Sequence, residues 1–197
     1  MTRRSLIVGL ALALVVLIAA AAAILITDRL AAPRGASAAI GGAFTLVDQE
    51  GRTVTDGDLR GKWLLVYFGY THCPDACPTA LSDMAEALDQ LGHKAEKVQP
   101  VFISIDPERD TPAVMKDYLA SFEIPVLGLT GSKEQVARAA KAFRVYYAKS
   151  GDASSADYAM DHSSIIYVMD PEGRFIANFT HETPPERIAQ RLQQLIS

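Results

Sequence analysis

The chain has 197 residues, 49% of them hydrophobic, with 19 Lys and Arg against 23 Asp and Glu for a net charge of −4. From Ile40 onward the balance is 15 against 22, net −7, a surface that repels phosphate backbones and excludes nucleic acid as a natural partner. That stretch is long enough for one domain with its own core, and no internal repeat divides it.

Arg3 and Arg4 precede an uncharged run of 21 residues, Leu6 to Ile26, mostly Ala, Leu, Ile and Val. As a helix rising about 1.5 Å per residue, it spans a hydrocarbon core of roughly 30 Å. Its length exceeds the about 7–15 apolar residues of a cleavable signal, so residues 1–27 read as a retained anchor, with Ala19–Ala23 as a signal-peptidase alternative. The arginines stay in the cytoplasm and the rest of the chain crosses. No Arg- and Ser-rich leader precedes the run. The expected location is therefore a bacterial inner membrane, single-pass, with the C-terminal domain in the periplasm. Residues 28–39, with Pro33 and Gly35, read as a linker, and 40–197 as the domain.

Phe44–Val47 and Arg52–Val54, around the turn at Gln49-Glu50-Gly51, predict a leading hairpin. Trp63–Phe68 is a continuous apolar run, as expected of a central strand covered on both faces. Pro78 suits the first turn of a helix running to Leu91, with Leu81, Met84, Ala85 and Leu88 on one face. Val101–Ile105 is a second central strand. Thr111-Pro112 predicts an N-cap and a helix to Phe122; Val126–Leu129 reads as a short strand. Ser132 with Gln135 predicts a capping box and a helix to Phe143. Ser163–Met169 and Arg174–Phe179 flank the turn at Asp170-Pro171-Glu172-Gly173, giving an antiparallel hairpin. Thr183, Pro184 and Glu186 open a last helix through Ile196.

The chain's only cysteines, Cys73 and Cys77, stand at the end of the first central strand. Such a pair can close a disulfide, exchange disulfides, or hold a soft metal as thiolates. A purely structural bridge is the weakest reading, because closing so small a ring yields only about 2 kcal/mol. Pro74 keeps Cys73 out of helical geometry, and Pro78 places Cys77 at or just before a helix N-terminus. Thiols there lie near the positive end of the helix dipole, which favours thiolate.

The order of elements is thioredoxin-like, an α/β fold with an N-terminal hairpin extension behind a transmembrane helix. The chain also resembles the Sco/SenC copper-delivery proteins of cytochrome c oxidase assembly. The likeness rests on Gly69-Tyr70-Thr71-His72-Cys73-Pro74-Asp75-Ala76-Cys77-Pro78, Ser104-Ile105-Asp106-Pro107-Glu108-Arg109-Asp110-Thr111-Pro112 and Asp161-His162-Ser163. Leu127–Ser132 and Arg144–Tyr147 add to it, and it runs from Ala43 to the C-terminus. The resemblance implies a copper site of Cys73, Cys77 and His162, holding Cu(I) and also Cu(II), with the two cysteines as a redox disulfide. Soft thiolates select Cu(I), and a neutral imidazole suits as third ligand. In redox-active thioredoxin-like proteins the loop facing the thiols holds a cis-proline; here that position offers His162 instead.

The other histidines read as structural: His72 should face away from Cys73, while His93 and His181 fit the surface. Met160 reads as packing, Asp161 could orient His162, and Asp106, Arg109 and Asp110 form either a solvated loop or a docking group near the metal. The expected function is a copper carrier, not an enzyme, delivering to the binuclear copper site of the oxidase subunit. Other periplasmic copper carriers and thiol reductases are further partners, and the membrane is reached through the N-terminal helix. The alternative is a thiol–disulfide reductase that keeps the target cysteines reduced. A peroxidase reading fails on spacing, since Thr71 is misplaced and Cys77 is too close to act as a remote resolving thiol.

Overall fold

The computed structural model describes residues 40–151 and 158–196. The expected anchor and linker lie outside the described residues, and among those described no helix is long and apolar enough to cross a membrane. Two parallel strands make the centre: Trp63–Gly69 (β3) and Val98–Ser104 (β4), in register from Trp63–Val98 to Gly69–Ser104. Every residue of β3 after Trp63 is buried, as its unbroken apolar sequence requires. The sheet has seven strands in the order β2-β1-β5-β4-β3-β8-β9, with Thr45–Asp48 as β1, Thr53–Thr55 as β2, Leu127–Thr130 as β5, Ile165–Met169 as β8 and Phe175–Thr180 as β9. β1–β2 is the expected leading hairpin, and the other edge is closed by β8, antiparallel to β3, and β9, antiparallel to β8.

The helix Ala76–Leu91 (α1) joins β3 to β4 and buries Cys77, Ala80, Leu81, Met84, Ala87, Leu88 and Leu91. That spacing is the apolar stripe of a surface helix. It packs against the last helix, Pro185–Leu195 (α4). Pro112–Leu119 (α2) lies on the same face, where Tyr118 meets Phe102 of β4 at 5.8 Å, and Lys133–Phe143 (α3) covers the opposite face, where Phe143 meets Phe68 of β3 at 5.2 Å. The Thr111 side chain accepts from Val114 N, and Ser132 and Gln135 form the reciprocal capping box.

Several boundaries differ from expectation. α2 stops at Leu119, where the Ser121 hydroxyl caps the Tyr118 carbonyl at 2.7 Å, three residues before Phe122. β4 begins at Val98 and takes in Pro100. A proline is tolerated there because β5 pairs with β4 only from Val101, leaving one side open before it. A second, two-stranded sheet was not expected: Tyr147–Ser150 (β6) pairs antiparallel with Ala159–His162 (β7). His162 therefore closes a strand, with only Ser163 and Ser164 between it and β8.

The two main hairpins share one turn design. Asp48 accepts from Glu50 N and Arg52 N at 3.0 and 2.8 Å, and Asp170 accepts from Glu172 N and Arg174 N at the same distances. Gly51 and Gly173 supply φ +81 and +77, and each Arg Nε returns to its aspartate. Burial pushes both carboxyl pKa values up, but the amide and guanidinium donors outweigh it and hold them below the usual range.

Candidate metal centre

β3 ends at Gly69, and the chain turns through Tyr70–Asp75 before α1 begins. The turn is set by Cys73 N donating to the Tyr70 carbonyl at 3.2 Å. The helix starts two residues before the position expected from Pro78, so Cys77 lies inside its first turn. Asp75, the residue before the helix, makes no side-chain cap; the free Cys77 amide points instead at Cys73 Sγ, 3.4 Å away. A sulfur occupies the place of a capping oxygen, and there the helix dipole favours negative charge.

Both cysteines are reduced, Cys73 half-exposed and Cys77 fully buried. Their protonation is divided. Cys73 is pulled down to about 3, first by the hydrogen bond from the Cys77 thiol, with help from His162 and from the Asp75 and Cys77 amides. Cys77 is pushed up, first by that same bond to Cys73 and then by burial. The metal-free pair thus shares one proton, as Cys73 thiolate and Cys77 thiol.

β7 brings His162 to them. Its Nε2 lies 3.7 Å from Cys77 Sγ, while Nδ1 sits 3.2 Å from the Ser163 carbonyl. An imidazole that donates from Nδ1 keeps the Nε2 lone pair free for a metal. Its ring meets Tyr67 and Tyr70 edge-on, at 6.0 and 6.1 Å, with interplanar angles of 82° and 90°. The donor atoms of Cys73, Cys77 and His162 all lie within 4.8 Å of one another, the one such His/Cys/Asp/Glu group among the described residues.

The remaining expected residues fall elsewhere. His72 and His93 are exposed, and His181 is half-buried after β9. Met160 is buried and lines a separate cavity of 190 Å³ with Ile105, Asp106 and Tyr147. Asp161 is exposed, and the contact that orients His162 goes to the Ser163 carbonyl. Asp106 and Asp110 are not part of a solvated loop: both are buried, at 2% and 0% exposure. Asp110 accepts from the Thr71 hydroxyl at 2.7 Å, the Thr71 amide, and the Ser104 hydroxyl at 2.6 Å. It therefore ties the thiol turn to the end of β4, and its burial pushes its pKa up.

The sequence assigns no role to Gly69 or the tyrosines, although Gly69 and Tyr70 stand in the block that bears the resemblance. A Cβ on Gly69 would stand 2.8 Å from Cys77 Sγ, so the buried sulfur occupies the room a side chain would need. Of Tyr67, Tyr70 and Tyr118, only Tyr67 sits inside an apolar run, Trp63–Phe68, where a lone hydroxyl is a signal of a polar tip directed to a site. The charge of the thiol pair raises all three, after burial itself.

The family model described as SCO1/SenC matches residues 32–197. A curated relative, Protein sco1 of Schizosaccharomyces pombe, is 44% identical over 156 residues, which is 78% of this chain but 59% of that protein. Among solved structures, Bradyrhizobium japonicum ScoI with copper bound is 49% identical, with a TM-score of 0.73 over 79% of this chain and 99% of that one. BsSco, described as a member of the Sco family of cytochrome c oxidase assembly proteins with a disulfide switch, is 25% identical, with a TM-score of 0.63 over 82% of this chain and 95% of that one.

Proposed function

The chain belongs to the SCO1/SenC family, and from that premise we propose that it carries one copper ion on Cys73 Sγ, Cys77 Sγ and His162 Nε2. The ion is its cargo, delivered to the binuclear copper site of cytochrome c oxidase. The observation that carries this reading is the convergence of two soft sulfurs and one imidazole nitrogen within 4.8 Å. Thiolates select Cu(I) over harder ions, and the imidazole extends the set toward Cu(II). One thiolate already stands ionised, so loading Cu(I) displaces a single thiol proton from Cys77. Three donors leave the ion open to an incoming ligand, which lets an acceptor bind before the carrier releases.

The place of action belongs to the same proposal. The run Leu6–Ile26 behind Arg3 and Arg4 supports an anchor that holds the domain at the outer face of a bacterial inner membrane. A second reading rests on the division of the thiols. A half-exposed thiolate beside a buried thiol is also what disulfide exchange requires, with Cys73 attacking and Cys77 resolving. Reduction of the oxidase's copper-site cysteines would use the same pair.

Metal analysis of the reduced protein separates the two. The copper reading expects one copper per chain, abolished by Cys73→Ser or Cys77→Ser without loss of fold. Stoichiometric copper retained through dialysis by the double variant would overturn it. Disulfide reductase activity without copper retention would favour the second reading.

A further inference from the structure

The strand that bears His162 shares no hydrogen-bonded ladder with the seven-stranded sheet; β6 and β7 pair only with each other. Beyond its two-residue link to β8, its position over the thiols must come from side chains. Tyr158, buried directly ahead of β7, donates its hydroxyl to Asp106 Oδ1 at 2.7 Å. Arg109 donates from Nη1 to the Tyr158 carbonyl at 2.9 Å and pairs through Nε with Asp106 Oδ2. Its guanidinium carbon lies 3.7 Å from the centre of the Tyr158 ring. The same guanidinium stands 5.7 Å from the Tyr70 ring, which in turn meets His162 edge-on. From β6, Lys149 Nζ approaches the Tyr158 ring at 4.0 Å. Asp106 is itself fixed, since its amide donates to the Ser104 hydroxyl at 3.0 Å.

We propose that Asp106, Arg109 and Tyr158 are a clamp that docks the β6–β7 hairpin on the domain and so sets His162 Nε2 within reach of the two thiols. They are positioning residues, and none is among the three converging donors. Only an arginine can do this work, because one planar fork meets a carboxylate, a carbonyl and an aromatic face together, which a lysine ammonium cannot. A buried carboxylate with both oxygens engaged also gives the clamp a single geometry. The proposal rests on the copper reading for its consequence, though not for the docking itself.

The test compares Arg109→Ala, Tyr158→Phe and the unaltered full chain. In the reduced, metal-free protein, amide exchange at Ala159–Ser163 should accelerate by about ten- to a hundredfold in Arg109→Ala, the loss expected when hydrogen bonds to charged groups go, while β3 stays protected. Tyr158→Phe, which removes only a hydroxyl, should show a smaller acceleration at the same amides. With Cu(I) supplied alone, both variants should still bind one ion through the thiols. With Cu(II), the thiolate charge-transfer band should change as it does in His162→Ala. Unchanged exchange in both variants overturns the clamp, as does faster exchange with an unaltered Cu(II) spectrum. If Arg109→Ala fails to fold, Tyr158→Phe decides by the same exchange measurement. If the unaltered protein binds no copper, the metal reading fails and amide exchange alone judges the clamp.

Discussion

Alanine at Gly69 is the sharpest probe of where the metal sits. Gly69 lies in β3 and is not among the glycines with positive φ, so alanine costs nothing in backbone strain. Its Cβ, however, would stand 2.8 Å from Cys77 Sγ and 2.8 Å from Phe102 Cε2. Non-bonded carbons prefer roughly 3.5–4.0 Å, and a sulfur is no smaller, so something must give by about 1 Å. Phe102 is fully buried, paired with Tyr67 at 6.3 Å and with Tyr118 at 5.8 Å, and has nowhere to go. The sulfur must therefore swing away from β3 and change its place relative to Cys73 and His162. Overpacking of this kind costs about 1–3 kcal/mol of stability. A ligand site holds its function only within about 0.5 Å, so Cu(I) affinity should fall by about tenfold or more. The assay is Cu(I) competition against a chromophoric chelator, run beside denaturant melts. Gly128→Ala is the control: its Cβ would meet Leu119 Cδ1 and, at 3.0 Å, Met115 Cε. That variant should lose stability and keep copper affinity. If Gly69→Ala loses stability while copper affinity stays within twofold, Cys77 is not a ligand and the proposed site is wrong.

Replacing His162 with alanine should leave a two-thiolate site that still holds Cu(I), more weakly, and hardly holds Cu(II); an unchanged thiolate-to-Cu(II) absorption band would place the third ligand elsewhere. Copper should protect the reduced pair, with the thiol–disulfide reduction midpoint rising by roughly 30 mV for each tenfold excess of free Cu(I) over its Kd. A midpoint indifferent to copper, measured by thiol trapping, would separate metal from disulfide chemistry. Because Cys73 is held down to about 3 by its neighbours, it is ionised well below the usual thiol range. Its alkylation rate should therefore be flat between about pH 5 and 8, where an ordinary thiol with a pKa near 8.5 gains about tenfold per unit. A rate that climbs through that window refutes the shared-proton state.

The parts of the fold that were legible are those whose cause is local. β3 is apolar without interruption, and so short a run, rich in aromatic residues, reads as a strand covered on both faces. Thr111 and Ser132 carry their capping partners within three residues, so α2 and α3 announced their own starts. The thiol pair was legible for the same reason. β6 and β7 were not: four residues each, of mixed polarity, they carry no clear period and are held by side chains far away in sequence. The burial of Asp106 and Asp110 was equally hidden. Carboxylates read as solvated unless their donors are known, and these are supplied by Tyr158, Thr71 and Ser104. The start of α1 was misplaced because a proline marks a first turn without saying which of its positions it fills.

The three donors come from two parts of the fold with different ties. Cys73 and Cys77 sit where β3 passes into α1, and Asp110 binds their turn to β4 through Thr71 and Ser104. His162 arrives on a strand outside that sheet. A bound ion would add a bond between two parts already joined by Tyr158, Arg109 and the short link to β8, so ligation and docking of the hairpin must be linked. Whatever loosens the hairpin weakens the third bond, and whatever removes the ion lessens the tie on the hairpin. An acceptor that competes for the ion at the His162 side would meet the weaker bond first, since a neutral nitrogen holds Cu(I) less firmly than two thiolates. On the proposed copper reading, His162 would be the exchangeable ligand, and Cys73 and Cys77 the pair that retains copper until an acceptor takes it.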